Sequence, residues 1–140
     1  MGYNLFLDDV RVPYLTDDEL INIQPGWKHM ASAYYYTKYE PFKNEKWIVV
    51  KSYNEFIDYI TNFGCPTFVA FDHDLSDEHY DYSLDESTYK EKTGFDATKW
   101  LCEYCQDNKI KFPRYIVHSM NIVGSDNIIK YIENYKKHVE

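Results

Sequence analysis

The stretch Thr67-Phe68-Val69-Ala70-Phe71-Asp72-His73-Asp74-Leu75 decides how this chain folds. Its first five residues are rich in β-formers and aromatics. So short an apolar run, entered from Pro66, reads as a strand buried on both faces of a sheet. The strand then releases Asp72, His73 and Asp74 at its carboxyl end, where such strands meet solvent. In an open parallel sheet that edge is where ligands bind.

Two further strands end in the same way. Tyr3 to Leu7 runs into Asp8-Asp9-Val10-Arg11-Val12-Pro13, where Pro13 fixes a turn and stops the strand. Tyr115-Ile116-Val117 runs into His118-Ser119-Met120-Asn121. A fourth strand, Trp47-Ile48-Val49-Val50, stands between the first two clusters in the chain.

Helical patterns separate the strands. Ser52 with Glu55 forms a capping box, after which Phe56, Ile57, Ile60 and Phe63 give an apolar face that stops at Gly64. Thr93 with Asp96 opens a second helix, with Ala97, Trp100, Leu101, Tyr104 and Cys105 as its buried stripe. Gly124 and Ser125 lead into a last helix with Ile128, Ile132, Tyr135 and Val139 on one side. Alternating strands and helices predict right-handed, parallel βαβ units. The fold class is α/β: a small, mainly parallel four-stranded sheet in the order 2-1-3-4, flanked by helices.

With 140 residues, 44% hydrophobic and 27% charged, the chain reads as one globular domain over 1–140. Residues 14–46 and 76–92 read as extended insertions. In the first, Thr16-Asp17-Asp18-Glu19 caps a short helix to Asn22, Pro25-Gly26 breaks it, and the tyrosine-rich stretch 27–42 has no clean period. That stretch reads as an ordered excursion, serving either to cover the site or a purely structural end. A net charge of −8 argues against binding long nucleic acid. No apolar run reaches the ~18 residues of a membrane span, and the N-terminus lacks the basic start of a signal peptide, so a cytoplasmic protein is expected. Of three cysteines, Cys102 and Cys105 form a C-x-x-C inside a helical pattern, which reads as core thiols.

If the sheet is parallel, the three strand ends share one edge. Carboxylates gathered there repel one another unless a cation sits among them or a pKa rises. A magnesium-like ion, magnesium or manganese, held by Asp8, Asp9 and Asp72 relieves that repulsion. Arg11, Ser119 and the amides before the last helix offer donors to a phosphate. His73 and His118 supply acid and base groups near neutral pH.

The segments Leu5 to Pro13, Phe71-Asp72-His73-Asp74-Leu75, Thr93-Gly94 and Val117 to Gly124 together resemble the cyclic-phosphate processing receiver-like family. The family is a stripped relative of two-component receiver domains, and the resemblance runs from Tyr3 to about Tyr135. It implies a truncated receiver-like (flavodoxin-like) fold that handles cyclic phosphates left by RNA damage or repair. It also implies Asp8, Asp9, Asp72 and Asp74 as the acidic cluster, and His73, His118 and Asp72 as reacting groups. Thr93, Ser119 and Asn121 join Arg11 around the phosphate. The chain departs from the pattern in its long segment 14–46, in its extended loop 76–92, and at Ile122, where proline is common.

The expected function is a metal-assisted phosphoesterase that hydrolyses a nucleoside 2′,3′-cyclic or ADP-ribose cyclic phosphate. The alternative is a module that binds a nucleotide or cyclic phosphate without turning it over. A phospho-accepting receiver with Asp72 as acceptor is disfavoured, because such a receiver needs a lysine at the end of a fifth strand.

Overall fold

The computed structural model describes residues 2–9, 46–75, 91–119 and 121–139. In chain order these form β1 (Asn4–Leu7), β2 (Ile48–Val50), α1 (Tyr53–Phe63), β3 (Phe68–Phe71), α2 (Gly94–Asp107), β4 (Arg114–Val117) and α3 (Ile122–Val139). The expected helix over 16–22, the tyrosine-rich stretch 27–42, Arg11 and most of the loop 76–92 lie outside the described residues.

The sheet has the order β2-β1-β3-β4, and every neighbouring pair is parallel. Leu7 stands opposite Val50 on one side and Phe71 on the other, and Phe71 stands opposite Val117. The ladder continues one residue past the strands: Asp8 N donates to Val50 O, Asp72 N to Leu7 O and His118 N to Phe71 O. Asp8, Asp72 and His118 therefore occupy equivalent places along the carboxyl edge.

Both crossovers among the described elements, β2 to β3 and β3 to β4, move the same way across the sheet. Right-handed connections then put their helices on one face. On that face Leu5, Leu7, Val69 and Phe71 pack with Phe56 and Ile60 of α1, Ala97 and Leu101 of α2, and Ile128 and Ile132 of α3. Each large side chain buried there contributes roughly 1.5–3 kcal/mol. The opposite face carries Phe6 and Ala70, with Trp47, Val49 and Ile116 packed around them. Side chains alternate along a strand, so Asp8, Asp72 and His118, two residues on from Phe6, Ala70 and Ile116, belong to this second face.

The helices begin and end for local reasons. Ser52 Oγ accepts from Glu55 N at 3.1 Å, and Gly64, at φ 90°, ends α1 by donating its N–H to Ile60 O. Phe63, expected on the buried face, is 67% exposed in the last turn of α1, its ring 4.6 Å from that of Tyr59. Helix α3 starts at Ile122, ahead of the expected Gly124-Ser125, because the Asn121 side chain accepts from Gly124 N at 2.9 Å. Its distal Val139 is exposed rather than packed.

Candidate acidic-histidine site at the carboxyl edge

The site is built where the three strands stop. One carboxylate oxygen from each of Asp8, Asp9 and Asp72 lies within 4.8 Å of the others, and this cluster can hold a metal ion. Asp72, His73 and Asp74 are buried, at 1%, 4% and 1% exposure, so the expectation that they meet solvent is corrected, and Asp8 is buried with them. Helix α2 is one reason. Gly94 N donates to His73 O at 2.7 Å, and a Cβ on Gly94 would fall 1.7 Å from the Asp72 carbonyl oxygen. Only glycine lets the helix start press so closely on the strand end.

An all-oxygen donor set of three carboxylates matches a hard divalent cation of the magnesium or manganese kind. Its charge would offset the repulsion among buried carboxylates.

His118 reaches across the sheet to this cluster. Its Nε2 lies 3.0 Å from Asp8 Oδ2, and both side chains are almost fully buried. Its ring stacks on Phe6, with centroids 4.5 Å apart and planes 14° from parallel. Between β1 and β4 runs β3, whose residue level with Phe6 and Ile116 is the small Ala70. That small side chain leaves room for the imidazole to meet Phe6 and Asp8. The Phe6 contact went unread in the sequence, although an alanine amid the bulky run Phe68-Val69-Ala70-Phe71 was its signal.

His73 belongs to a second, adjoining group. Its Nδ1 lies 2.8 Å from Asp74 Oδ1, and Asn121 Nδ2 donates to the same carboxylate oxygen at 3.3 Å. Gly124, in the first turn of α3, backs the ring: a Cβ there would approach the imidazole atoms to 2.5–2.9 Å. Asp74, expected as a fourth member of the acidic cluster, is not among the three carboxylates that lie within 4.8 Å of one another. It lies beyond the end of β3, and its side chain is engaged by His73 and Asn121.

Of the expected phosphate-holding residues, Ser119 and Asn121 lie together after β4 and Thr93 stands at the start of α2. Ser119 is half-buried at the end of β4; its Oγ accepts from Asn121 N at 3.1 Å. Asn121 caps α3 and holds Asp74 at once. Thr93 is the N-cap of α2: Asp96 accepts from Thr93 N at 2.9 Å, and Thr93 Oγ1 accepts from Asp96 N. That capping box gives Thr93 a structural task. Arg11 lies outside the described residues. Among the described residues no helix is long and apolar enough to cross a membrane.

Comparison with known proteins identifies a family. The family model described as the cyclic-phosphate processing receiver domain matches residues 3–134, nearly the whole chain and every residue of both groups. No curated protein and no solved structure matches the chain.

Proposed function

The chain belongs to the cyclic-phosphate processing receiver domain family, and on that premise we propose that it is a phosphoesterase that opens a small cyclic phosphate by hydrolysis. The substrate is a nucleoside 2′,3′-cyclic phosphate or an ADP-ribose cyclic phosphate. The observation that carries the reading is the contact between His118 and Asp8, which joins an imidazole to the three-carboxylate cluster in a buried setting.

Asp8, Asp9 and Asp72 would hold a magnesium or manganese ion, which would supply positive charge against the phosphate oxygens and make a water more acidic. His118, steadied by Asp8 and Phe6, takes the proton of the water that attacks phosphorus. His73, steadied by Asp74, returns a proton to the departing ribose oxygen. One P–O bond forms, one breaks, and the proton balance is even. Ser119, Arg11 and the amides that open α3 hold the phosphate, the last with the favourable end of the helix dipole. The burial of both histidines raises the worth of each charge and excludes bulk water from the reacting centre.

A second reading is favoured by one observation. Both histidines already face carboxylates, and such pairs serve equally well to lock rings in place around a bound nucleotide. A panel of cyclic phosphates incubated with the protein, with and without divalent metal, separates the two. Phosphorus NMR registers a monoester from at least one member if the protein is an enzyme. Unchanged cyclic phosphate throughout, in the presence of measured binding, assigns it as a binder.

A further inference from the structure

A contact between two thiols lies at the other end of β3, away from the acidic cluster. Cys65 Sγ and Cys105 Sγ stand 3.8 Å apart, although 40 residues separate them in the chain. Cys65 occupies the short connection between Gly64 and Pro66, outside any helix or strand, and is half-buried. Cys105 sits in α2 and is fully buried. We propose that Cys65 and Cys105 are a reactive dithiol, an oxidisable pair that closes to an intramolecular disulfide.

Geometry and chemistry agree on the pair and on the order of events. To reach bonding distance the sulfurs must close by about 1.8 Å from their present separation. Cys65 lies outside any helix or strand, in a connection held on one side by Gly64 N donating to Ile60 O and on the other by Thr67 N donating to Tyr3 O, so its side chain makes the approach. It is also the one a reagent reaches first. A hydrogen bond from Cys105 favours the Cys65 thiolate and holds the Cys65 thiol below its ordinary range. That same bond, with burial, keeps the Cys105 proton in place. The third cysteine, Cys102, is buried in α2 with its thiol pushed up to about 12 by burial and by Glu103, so it is inert.

A small-molecule disulfide such as glutathione disulfide is the oxidant. The Cys65 thiolate attacks one of its sulfurs, forming a mixed disulfide and expelling one glutathione thiolate. Cys105 then gives up its proton, attacks the Cys65 sulfur and expels the second. Two cysteine thiols are oxidised, one disulfide is reduced to two thiols, and no other reactant is needed. The bridge ties the connection before β3 to the far part of α2, leaving the carboxyl edge on the other end of the strand.

The test is thiol counting and peptide mapping on the unmodified full chain, before and after glutathione disulfide under native conditions. The expected result is a fall from three alkylatable cysteines to one, with Cys102 the survivor. Peptides carrying Cys65 and Cys105 should be joined within a single chain and freed by dithiothreitol. Three alkylatable thiols after prolonged oxidation overturn the proposal. So does a bridge that includes Cys102, or one that joins two copies, or a mixed disulfide at Cys65 that never resolves. In Cys65→Ser, identical treatment should leave both α2 thiols alkylatable; a protected Cys105 there also overturns it.

Discussion

His118 Nε2 lies 3.0 Å from Asp8 Oδ2 across 110 residues of chain, and the contact spans an intervening strand. It exists because parallel register brings both residues to one edge on one face, and because Ala70 between them is small. The pair couples the acidic cluster to an acid–base group, and most of the behaviour expected of this protein follows from it.

Metal affinity should separate the carboxylates. Asp8→Asn and Asp72→Asn each remove a charged oxygen from the cluster, and manganese binding measured by calorimetry should weaken at least about tenfold in either. Asp74→Asn, whose carboxylate is engaged by His73 and Asn121, should stay within about threefold of the unmodified protein. An equal loss in all three variants would return Asp74 to the cluster.

Proton work should show in the histidines. His118→Gln and His73→Gln should each lower turnover of a cyclic phosphate by roughly 10²–10⁴, with substrate affinity changed by about one hydrogen bond, on the order of 1 kcal/mol. Each variant should also lose one limb of the pH–rate profile. Full turnover with both histidines replaced would end the acid–base mechanism.

Two glycines set how closely helices approach the site, and their alanine variants should differ. In Gly94→Ala the new Cβ meets the Asp72 carbonyl oxygen, a backbone atom that cannot yield, so the loss should be about 3 kcal/mol or more by urea unfolding. In Gly124→Ala it meets the His73 ring, which can shift. That variant should fold with a loss of about 1–3 kcal/mol and a disproportionate fall in turnover. Equal stability in the two variants would show that α2 does not press on the strand end as described.

Thr93→Ala tests whether its hydroxyl caps a helix or holds phosphate. Loss of the capping box should cost about 1 kcal/mol of stability in thermal unfolding. Turnover at a temperature well below unfolding should stay within about twofold. A fall of about 10² there would assign the hydroxyl to the substrate.

Removal of metal provides a check that needs no substitution. After dialysis against a chelator, turnover of a cyclic phosphate should drop to background and return on adding magnesium or manganese. Undiminished turnover in the chelated protein would leave the reaction to the two histidines alone.

Much of the fold was legible because it rests on local rules. The run Phe68 to Phe71, the boxes at Ser52 and Thr93 and the stop at Gly64 each encode an element within a few residues. Strand-helix alternation then implies parallel pairing, which aligns Asp8, Asp72 and His118 at one edge. The start of α3 lies two residues ahead of the expected Gly124 because its cap is the Asn121 side chain, whereas Gly124 and Ser125, inside the helix, offered a rival start signal.

By itself the sequence determined the strands and helices, their parallel sheet and the edge on which the charged residues gather, since hydrophobic period and capping chemistry act over short distances; the strand order was expected through the resemblance. Tertiary structure alone decided how those residues divide. Asp74 and Asp72 are two positions apart, yet one turns to Asn121 and the other to Asp8 and Asp9. Where the chain leaves the strand, alternation no longer dictates direction, and the partner supplied by a distant helix decides it. The same holds for Cys65: its neighbour Cys105 is set by how α2 lies on the sheet, a distance that no local pattern encodes.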